Sequence, residues 1–273
     1  MQELTRENYK DNHDYLSYSR FSKFLRCEAS AVKNYREPPS VAQLVGSYVD
    51  AYFSNESEQF KSEHPEIYNS KTGELKKDFI QAETIIERIN SDETFLKYLD
   101  GEKQAIMSGT IDGVPFKIKM DAYKPHEFIT DLKVVKDFDK VWSDAYRCYL
   151  NFVEAYDYDV ELAIFREIVY QNTGEKLPCY LACITKENPS DIGIFQLTEK
   201  QLDKAMGIVK DNLPRIKDIL DGKTAPHRCE KCSYCRATKK AKVLSTDYIG
   251  YNGDQLREVG IDCNDEIIKS KKE

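Results

Sequence analysis

The sequence predicts an α/β fold: a mixed central β-sheet flanked by helices, preceded by a helical N-terminal extension. Three observations predict it. Apolar residues recur at helical spacing in segments before about residue 100, and the pattern changes to strand alternation over residues 105–123. Asp112-Gly113 separates two alternating runs and is a strong two-residue hairpin signal. The segments then run in the order helices, three strands, helices, two strands, helix, which calls for a mixed sheet covered by helices. A length of 273 residues suits one elaborated domain. We divide it into a helical part (1–100), an α/β core (101–222) and a basic, cysteine-containing segment (223–273).

Ser17 to Tyr35 reads as one capped amphipathic helix, with Phe21, Phe24, Leu25, Ala29 and Val32 on its apolar stripe. Pro38-Pro39 ends it. A second helix starts at Ser40 and runs through Leu44, Val45, Val49 and Tyr52. Residues 54–76 are polar and read as loop, and Asp78 to Leu99 reads as a third helix. Ala105–Ile111, Val114–Tyr123 and Phe128–Val135 read as three strands, with Phe116, Ile118 and Met120 on an apolar face and Lys117, Lys119 and Asp121 on a polar one. Helices are expected near 143–155 and 159–171, the latter closed by Gly174. Strands follow at Leu177–Thr185 and Ile192–Leu197, then a long helix at Glu199–Leu220.

Composition excludes disorder, with 41% hydrophobic and 32% charged residues. No apolar leader occupies Met1–Tyr15, and no run approaches the ~20 apolar residues of a membrane span. The expectation is a soluble, cytoplasmic protein. The net charge of −7 argues against indiscriminate coating of nucleic acid. Residues 223–242 nevertheless carry seven Lys/Arg against the single acid Glu230, a local balance of +6. That segment is either a solvated basic tail or a basic face.

Asp131 and Lys133 lie two apart on a strand, so both side chains leave the same face. Asp121 lies on the polar face of the preceding strand. It falls opposite Asp131 if the turn is centred on His126, because both are five residues from it. Opposed carboxylates repel unless a cation relieves them, and a divalent ion with oxygen ligands would do so. Metal-polarised phosphate, activated water and a lysine to orient water or offset phosphoryl charge are the parts phosphodiester hydrolysis needs. The plain alternative is a solvated strand face with a surface ion pair.

Five segments, YLSYSRFSKFLRCEASA (15–31), LVGSYVDAYF (44–53), FKIKMDAY (116–123), ITDLKVVKD (129–137) and RCEKCSYCR (228–236), together resemble the phage and prophage RecE-like (exodeoxyribonuclease VIII-like) exonucleases of the PD-(D/E)XK nuclease superfamily. The resemblance implies a restriction-endonuclease-like core and a Mg²⁺- or Mn²⁺-dependent deoxyribonuclease. Its motif falls on Asp121, Asp131 and Lys133, with the carbonyl of Leu132 as a further metal ligand. It also implies action on duplex DNA ends, 5′ to 3′, beside a RecT-type single-strand annealing protein, with a homo-oligomeric ring among its assemblies and no membrane partner. An endonuclease or single-strand nuclease of the same superfamily is the alternative, as is a non-catalytic DNA-binding recombination accessory protein.

Three positions depart from the pattern. Asp50 stands where related nucleases carry a metal-binding His after Gly46; Asp is a competent hard ligand for Mg²⁺ or Mn²⁺. Glu161 and Phe165 stand where the family has Gln and, four residues on, Tyr. Glu161 can reach a metal-bound water or accept from Lys133, whereas Phe165 lacks the hydroxyl.

Eight cysteines without a secretory signal argue against a disulfide framework. Cys148, Cys179, Cys183 and Cys263 are scattered. Cys229, Cys232 and Cys235 are bunched, one ligand short of a four-coordinate site. Some RecB-like nucleases complete such a trio with an early cysteine, here Cys27, around a [4Fe-4S] cluster, although their late trio is spaced differently. Zn²⁺ on the trio with Cys27 or His227 is the alternative, and unliganded thiols are the third reading.

Overall fold

A computed structural model describes residues 4–144, 146–251 and 253–259; Cys263, the last of the scattered cysteines, lies outside them. The first helical stretch is interrupted. α1 (Tyr18–Arg26) is capped by the Ser17 side chain, Cys27 is extended at φ −162 and ψ 102, and α2 (Glu28–Val32) follows. The single helix expected over 17–35 is therefore two, because Cys27 leaves helical geometry. α3 (Val41–Phe53) begins in a capping box between Ser40 and Gln43. The loop expected over 54–76 contains α4 (Ser57–Glu63) and a 3-10 turn at Pro65–Ile67, with Ile67 fully buried. The next helix also divides, into α5 (Lys77–Asn90) and α6 (Glu93–Leu99), where the Asp92 side chain accepts from the Phe95 amide. A side-chain cap is a stronger local instruction than an unbroken apolar stripe.

β1 (Glu102–Ile111), β2 (Val114–Lys124), β3 (Phe128–Val135), β6 (Cys179–Thr185) and β7 (Ile192–Gln196) form one sheet in the order β1-β2-β3-β6-β7. β2 and β3 are antiparallel, β3 and β6 parallel, β6 and β7 antiparallel, so the sheet is mixed as expected. Asp112 and Gly113 both have positive φ, 46° and 77°, the geometry the hairpin signal demands.

Where a helix was expected at 143–155, the chain forms a separate hairpin, β4 (Val141–Ser143) with β5 (Cys148–Leu150), followed by the short α7 (Phe152–Ala155). Trp142 faces Tyr149 across the hairpin with rings 5.2 Å apart, and Asn151 caps α7. Cross-strand aromatic pairing and the cap override helical spacing here. α8 (Tyr158–Thr173) ends at left-handed Gly174, as predicted. α9 (Glu199–Leu220) and α10 (Ser233–Ala237) complete the described helices that bear on the sites. No helix among the described residues is long and apolar enough to cross a membrane.

The chain divides into two units. One comprises Met1–Asn12, Pro39–Gly109 and Lys117–Gly207; the other comprises His13–Pro38, Thr110–Phe116 and Ile208–Glu273. In the first, Leu44, Val45, Tyr48 and Val49 of α3, the apolar faces of α5 and α6, and Leu132, Ala182 and Ile184 of the sheet form one core. In the second, Cys27, Ala29, Tyr234 and Cys235 are buried together, with Tyr35, Cys229 and Cys232 packed on them.

Candidate active site

β3 alternates as its period requires. Leu132 packs into the core with α3, and Asp131 and Lys133 leave the opposite face. The antiparallel ladder pairs Lys124 with Phe128, Tyr123 with Ile129 and Ala122 with Thr130, symmetric about His126; these pairs end one residue short of Asp121 and Asp131. The Asp121 carboxylate accepts from the Leu132 amide at 2.9 Å and from the Gln104 side-chain amide at 3.1 Å. Lys133 Nζ lies 2.6 Å from Asp131 Oδ2 and 2.9 Å from Glu161 Oε2, so α8 and β3 meet through this ammonium. Asp131 is 3% exposed. It is an internal carboxylate rather than a member of a solvated strand face.

Asp50, on α3, joins the group through the Ser54 hydroxyl at 3.4 Å, and Ser54 accepts from Gln104 at 2.9 Å. The four carboxylates therefore share one region with one partly buried ammonium. Burial and, second, the Asp121 charge push the Asp50 carboxyl up to about 7. Burial raises the Asp131 carboxyl well above its usual range despite the opposing Lys133 charge, with Glu161 and Asp121 adding to the rise. Burial disfavours the Lys133 ammonium, but Asp131, Glu161 and Asp121 outweigh it and hold that lysine firmly protonated.

Asp50 supplies a test of this electrostatic picture. A carboxyl whose folded pKa exceeds its unfolded one binds its proton more tightly when folded, so its contribution to stability falls as pH rises from about 4 to about 7. Asp50→Asn removes that loss. Without added Mg²⁺ or Mn²⁺, the variant is expected to match wild type in Tm near pH 4 and to exceed it by several degrees at pH 8. A lower Tm at pH 8 would count against a strained carboxylate.

Several neighbours were not legible in the sequence. Gln104 is 2% exposed at a left-handed φ of 54°, and its side-chain oxygen is buried without a hydrogen-bond partner. No sequence signal marked it. The Tyr158 ring centroid lies 5.0 Å from Lys133 Nζ, and burial pushes its phenol up to about 12. Its position three before Glu161 on α8 would have flagged it as a same-face neighbour. Lys117, expected on the polar face of its strand, is 4% exposed: its ammonium donates to the Tyr9 and Asn12 carbonyls and sits 4.7 Å from the Tyr9 ring. Burial first, and then the Glu161 charge, raise the Tyr9 phenol. Phe165 is 4% exposed and belongs to the core.

The donor set suits a hard divalent cation: carboxylate oxygens in excess of cations, two of them with raised pKa, and an unpartnered amide oxygen beside them. Among the described residues, however, only the four cysteines bring three or more ligand atoms within 4.8 Å of one another. At the carboxylates, Lys133 Nζ stands against Asp131 Oδ2 and serves as the counter-charge.

The cysteine expectation concerned Cys27 and the late trio. All four sulfurs converge, with Cys27 Sγ 3.5 Å from Cys235 Sγ, while His227 contributes backbone bonds to Glu28 and Ala29. The basic segment is less open than its charge suggested. Arg228 is buried in an ion pair with Glu230 at 2.9 Å, Lys239 also reaches Glu230, and Lys223 pairs with Asp221; Lys231, Arg236, Lys240 and Lys242 are exposed.

A family model described as a PDDEXK-like domain of unknown function (DUF3799) matches residues 17–238. The crystal structure of "Putative exonuclease" from Eubacterium rectale aligns with a TM-score of 0.87 and 41% identity, covering 91% of this chain and 98% of that one. A second structure, SSO0001, aligns at a TM-score of only 0.30 and 13% identity over 82% of this chain and 97% of that one, and carries no argument. No curated protein matches the chain.

Proposed function

Because the chain belongs to the PDDEXK-like domain family and is thus a PD-(D/E)XK-type nuclease, we propose that it is a Mg²⁺- or Mn²⁺-dependent exodeoxyribonuclease whose site is Asp121, Asp131, Lys133 and Glu161. The observation that carries this reading is the Lys133 ammonium held between Asp131 and Glu161 beside Asp121. Asp121, Asp131, the Leu132 carbonyl and Asp50 would hold the cation. When bound, it would polarise the scissile phosphate and make a water acidic enough to attack.

The protein side of the chemistry follows from charge. Lys133, held by Glu161, would present its remaining N–H groups to the phosphate oxygens, where negative charge grows in the transition state. Glu161 positions Lys133. The Tyr158 ring face gives that ammonium a second resting surface. Leu132 N and Gln104 fix the Asp121 carboxylate, limiting its rotation. The likeness to the Eubacterium rectale protein supports action at strand ends, and the family resemblance alone carries duplex DNA as the substrate. The resemblance alone carries 5′ to 3′ polarity and a recombination role beside a RecT-type annealing protein. In the second unit, Cys27, Cys229, Cys232 and Cys235 hold a structural metal group.

The test uses end-labelled linear duplex, nicked circle and single strand, each with Mg²⁺, Mn²⁺ or chelator. Release of mononucleotides from the linear duplex only, with metal, is expected. Cutting of the nicked circle at internal sites would favour an endonuclease, and no cleavage of any substrate would defeat the enzyme reading. Glu161→Gln keeps an oxygen acceptor for Lys133 and is expected to hold activity within about tenfold, or 1.4 kcal/mol in the barrier. A larger loss would give the Glu161 charge a role of its own.

A further inference from the structure

We propose that the four cysteines bind one Zn²⁺ ion in a closed tetrahedral site and not an iron–sulfur cluster. The proposal rests on the reading that these thiolates hold a metal, and it is independent of the nuclease reading. Sulfur spacing discriminates between the two groups. Four thiolates at about 2.3 Å from a single zinc lie about 3.8 Å from one another. A four-iron cubane interposes irons and sulfides, so its thiolate sulfurs stand roughly 6 Å apart. Cys27 and Cys235 Sγ are 3.5 Å apart, Cys229 and Cys235 Sγ 4.0 Å, and all four fall within 4.8 Å. That space holds one ion and cannot hold four. A disulfide would require a separation of about 2.05 Å, which neither pair approaches.

The surrounding backbone is arranged for thiolates. The Cys232 amide donates to Cys229 Sγ at 3.3 Å and the Cys235 amide to Cys232 Sγ at 3.4 Å, each across a two-residue gap. Glu230 takes a left-handed φ of 59°, which turns the chain between the first two ligands. Amide donors directed at sulfur favour its anionic form, which is the metal ligand. A Zn²⁺ ion on four thiolates carries a net charge of −2, and the buried Arg228, which donates to the Cys235 carbonyl at 2.8 Å, offsets part of it.

The fourth ligand is placed from the other end of the sequence. Cys27 stands at the break between α1 and α2, and its own amide still caps α1 by donating to the Lys23 carbonyl. The Ala29 amide donates to the His227 carbonyl at 2.9 Å, and the Glu28 carboxylate accepts from the His227 amide at 2.6 Å while Arg215 grips it at 2.8 Å. These bonds hold the two segments of the site together, so the interruption of the first helix is what delivers the ligand. All four ligands belong to the second unit.

The experiment is metal analysis of the full-length protein, purified anaerobically and without a metal-affinity tag from cells supplied with both zinc and iron. One equivalent of zinc and a colourless protein are expected. Replacement by Co²⁺ should give absorption near roughly 700 nm, the mark of tetrahedral coordination, and Cys27→Ser should lose the zinc. Asp131→Asn should keep it, which separates this site from the carboxylates. Stoichiometric iron with a broad band near about 400 nm would overturn the single-ion proposal while leaving the four-thiolate metal site standing. Protein without metal, or zinc retained in Cys27→Ser and lost in Asp131→Asn, would overturn both.

Discussion

Lys133→Ala is expected to abolish nuclease activity and also to lower the Tm of the protein measured without added divalent cation. From sequence, the substitution looks structurally silent, since a lysine on a polar strand face contributes little. Its surroundings say otherwise. Asp131 is 3% exposed and Lys133 is its close counter-charge, with Glu161 on the other side. Removing the ammonium leaves buried carboxylates without compensation, a loss of about 3 kcal/mol, at the low end for buried pairs because 20% of the lysine side chain remains exposed. Asp131→Asn should also lose activity, yet without that fall in Tm, because it removes one of the mutually repelling charges and leaves Lys133 with Glu161. Saturating Mn²⁺ should raise the wild-type Tm and leave Asp131→Asn unchanged. Equal Tm values for Lys133→Ala and wild type would show that the ammonium is solvated rather than pinned.

Cys27→Ser is expected to have the largest effect on stability. Metal binding at a thiolate site is folding free energy for the segments it joins, and here it joins Cys27, at the break between α1 and α2, to the segment from Cys229 to Cys235. Loss of one of four ligands should cost about 3 kcal/mol or more, with the late trio becoming accessible to thiol reagents. A buried cysteine that held no metal would cost only about 1–2 kcal/mol when replaced by serine. Urea unfolding followed by the reactivity of Cys229 and Cys232 distinguishes them. A small loss of stability with the trio still protected would mean that Cys27 is packing alone.

How much of this was legible in the sequence depended on whether the instruction was local. The β1–β2 turn follows from two residues that tolerate positive φ, and the β2–β3 register from symmetry about His126, itself at a left-handed φ of 65°. Gly174 stopped α8 as a left-handed cap should. The convergence of Cys27 with the late trio was anticipated only through resemblance, since nothing local in a helix of apolar spacing announces a break at residue 27. The β4–β5 hairpin was missed because residues 143–155 contain apolar spacings compatible with a helix, while the pairing of Trp142 with Tyr149 is a contact between strands. Lys117 and Gln104 were misread or unseen for the same reason. A lysine on the polar face of a strand is ordinarily solvated, and here the Tyr9–Asn12 segment covers it. The Lys133–Glu161 ion pair likewise joins β3 to α8, which no spacing within either element reveals.

The central claim is that the carboxylates around Lys133 form a metal-dependent nuclease centre. It is tested most directly by following labelled nucleotide release from linear duplex DNA in Mn²⁺, with wild type and Asp131→Asn at equal concentration. Progressive release by wild type and at least about a thousandfold slower release by Asp131→Asn, equivalent to roughly 4 kcal/mol in the barrier, is the predicted result. Equal release by the two proteins, or none by wild type, would contradict it.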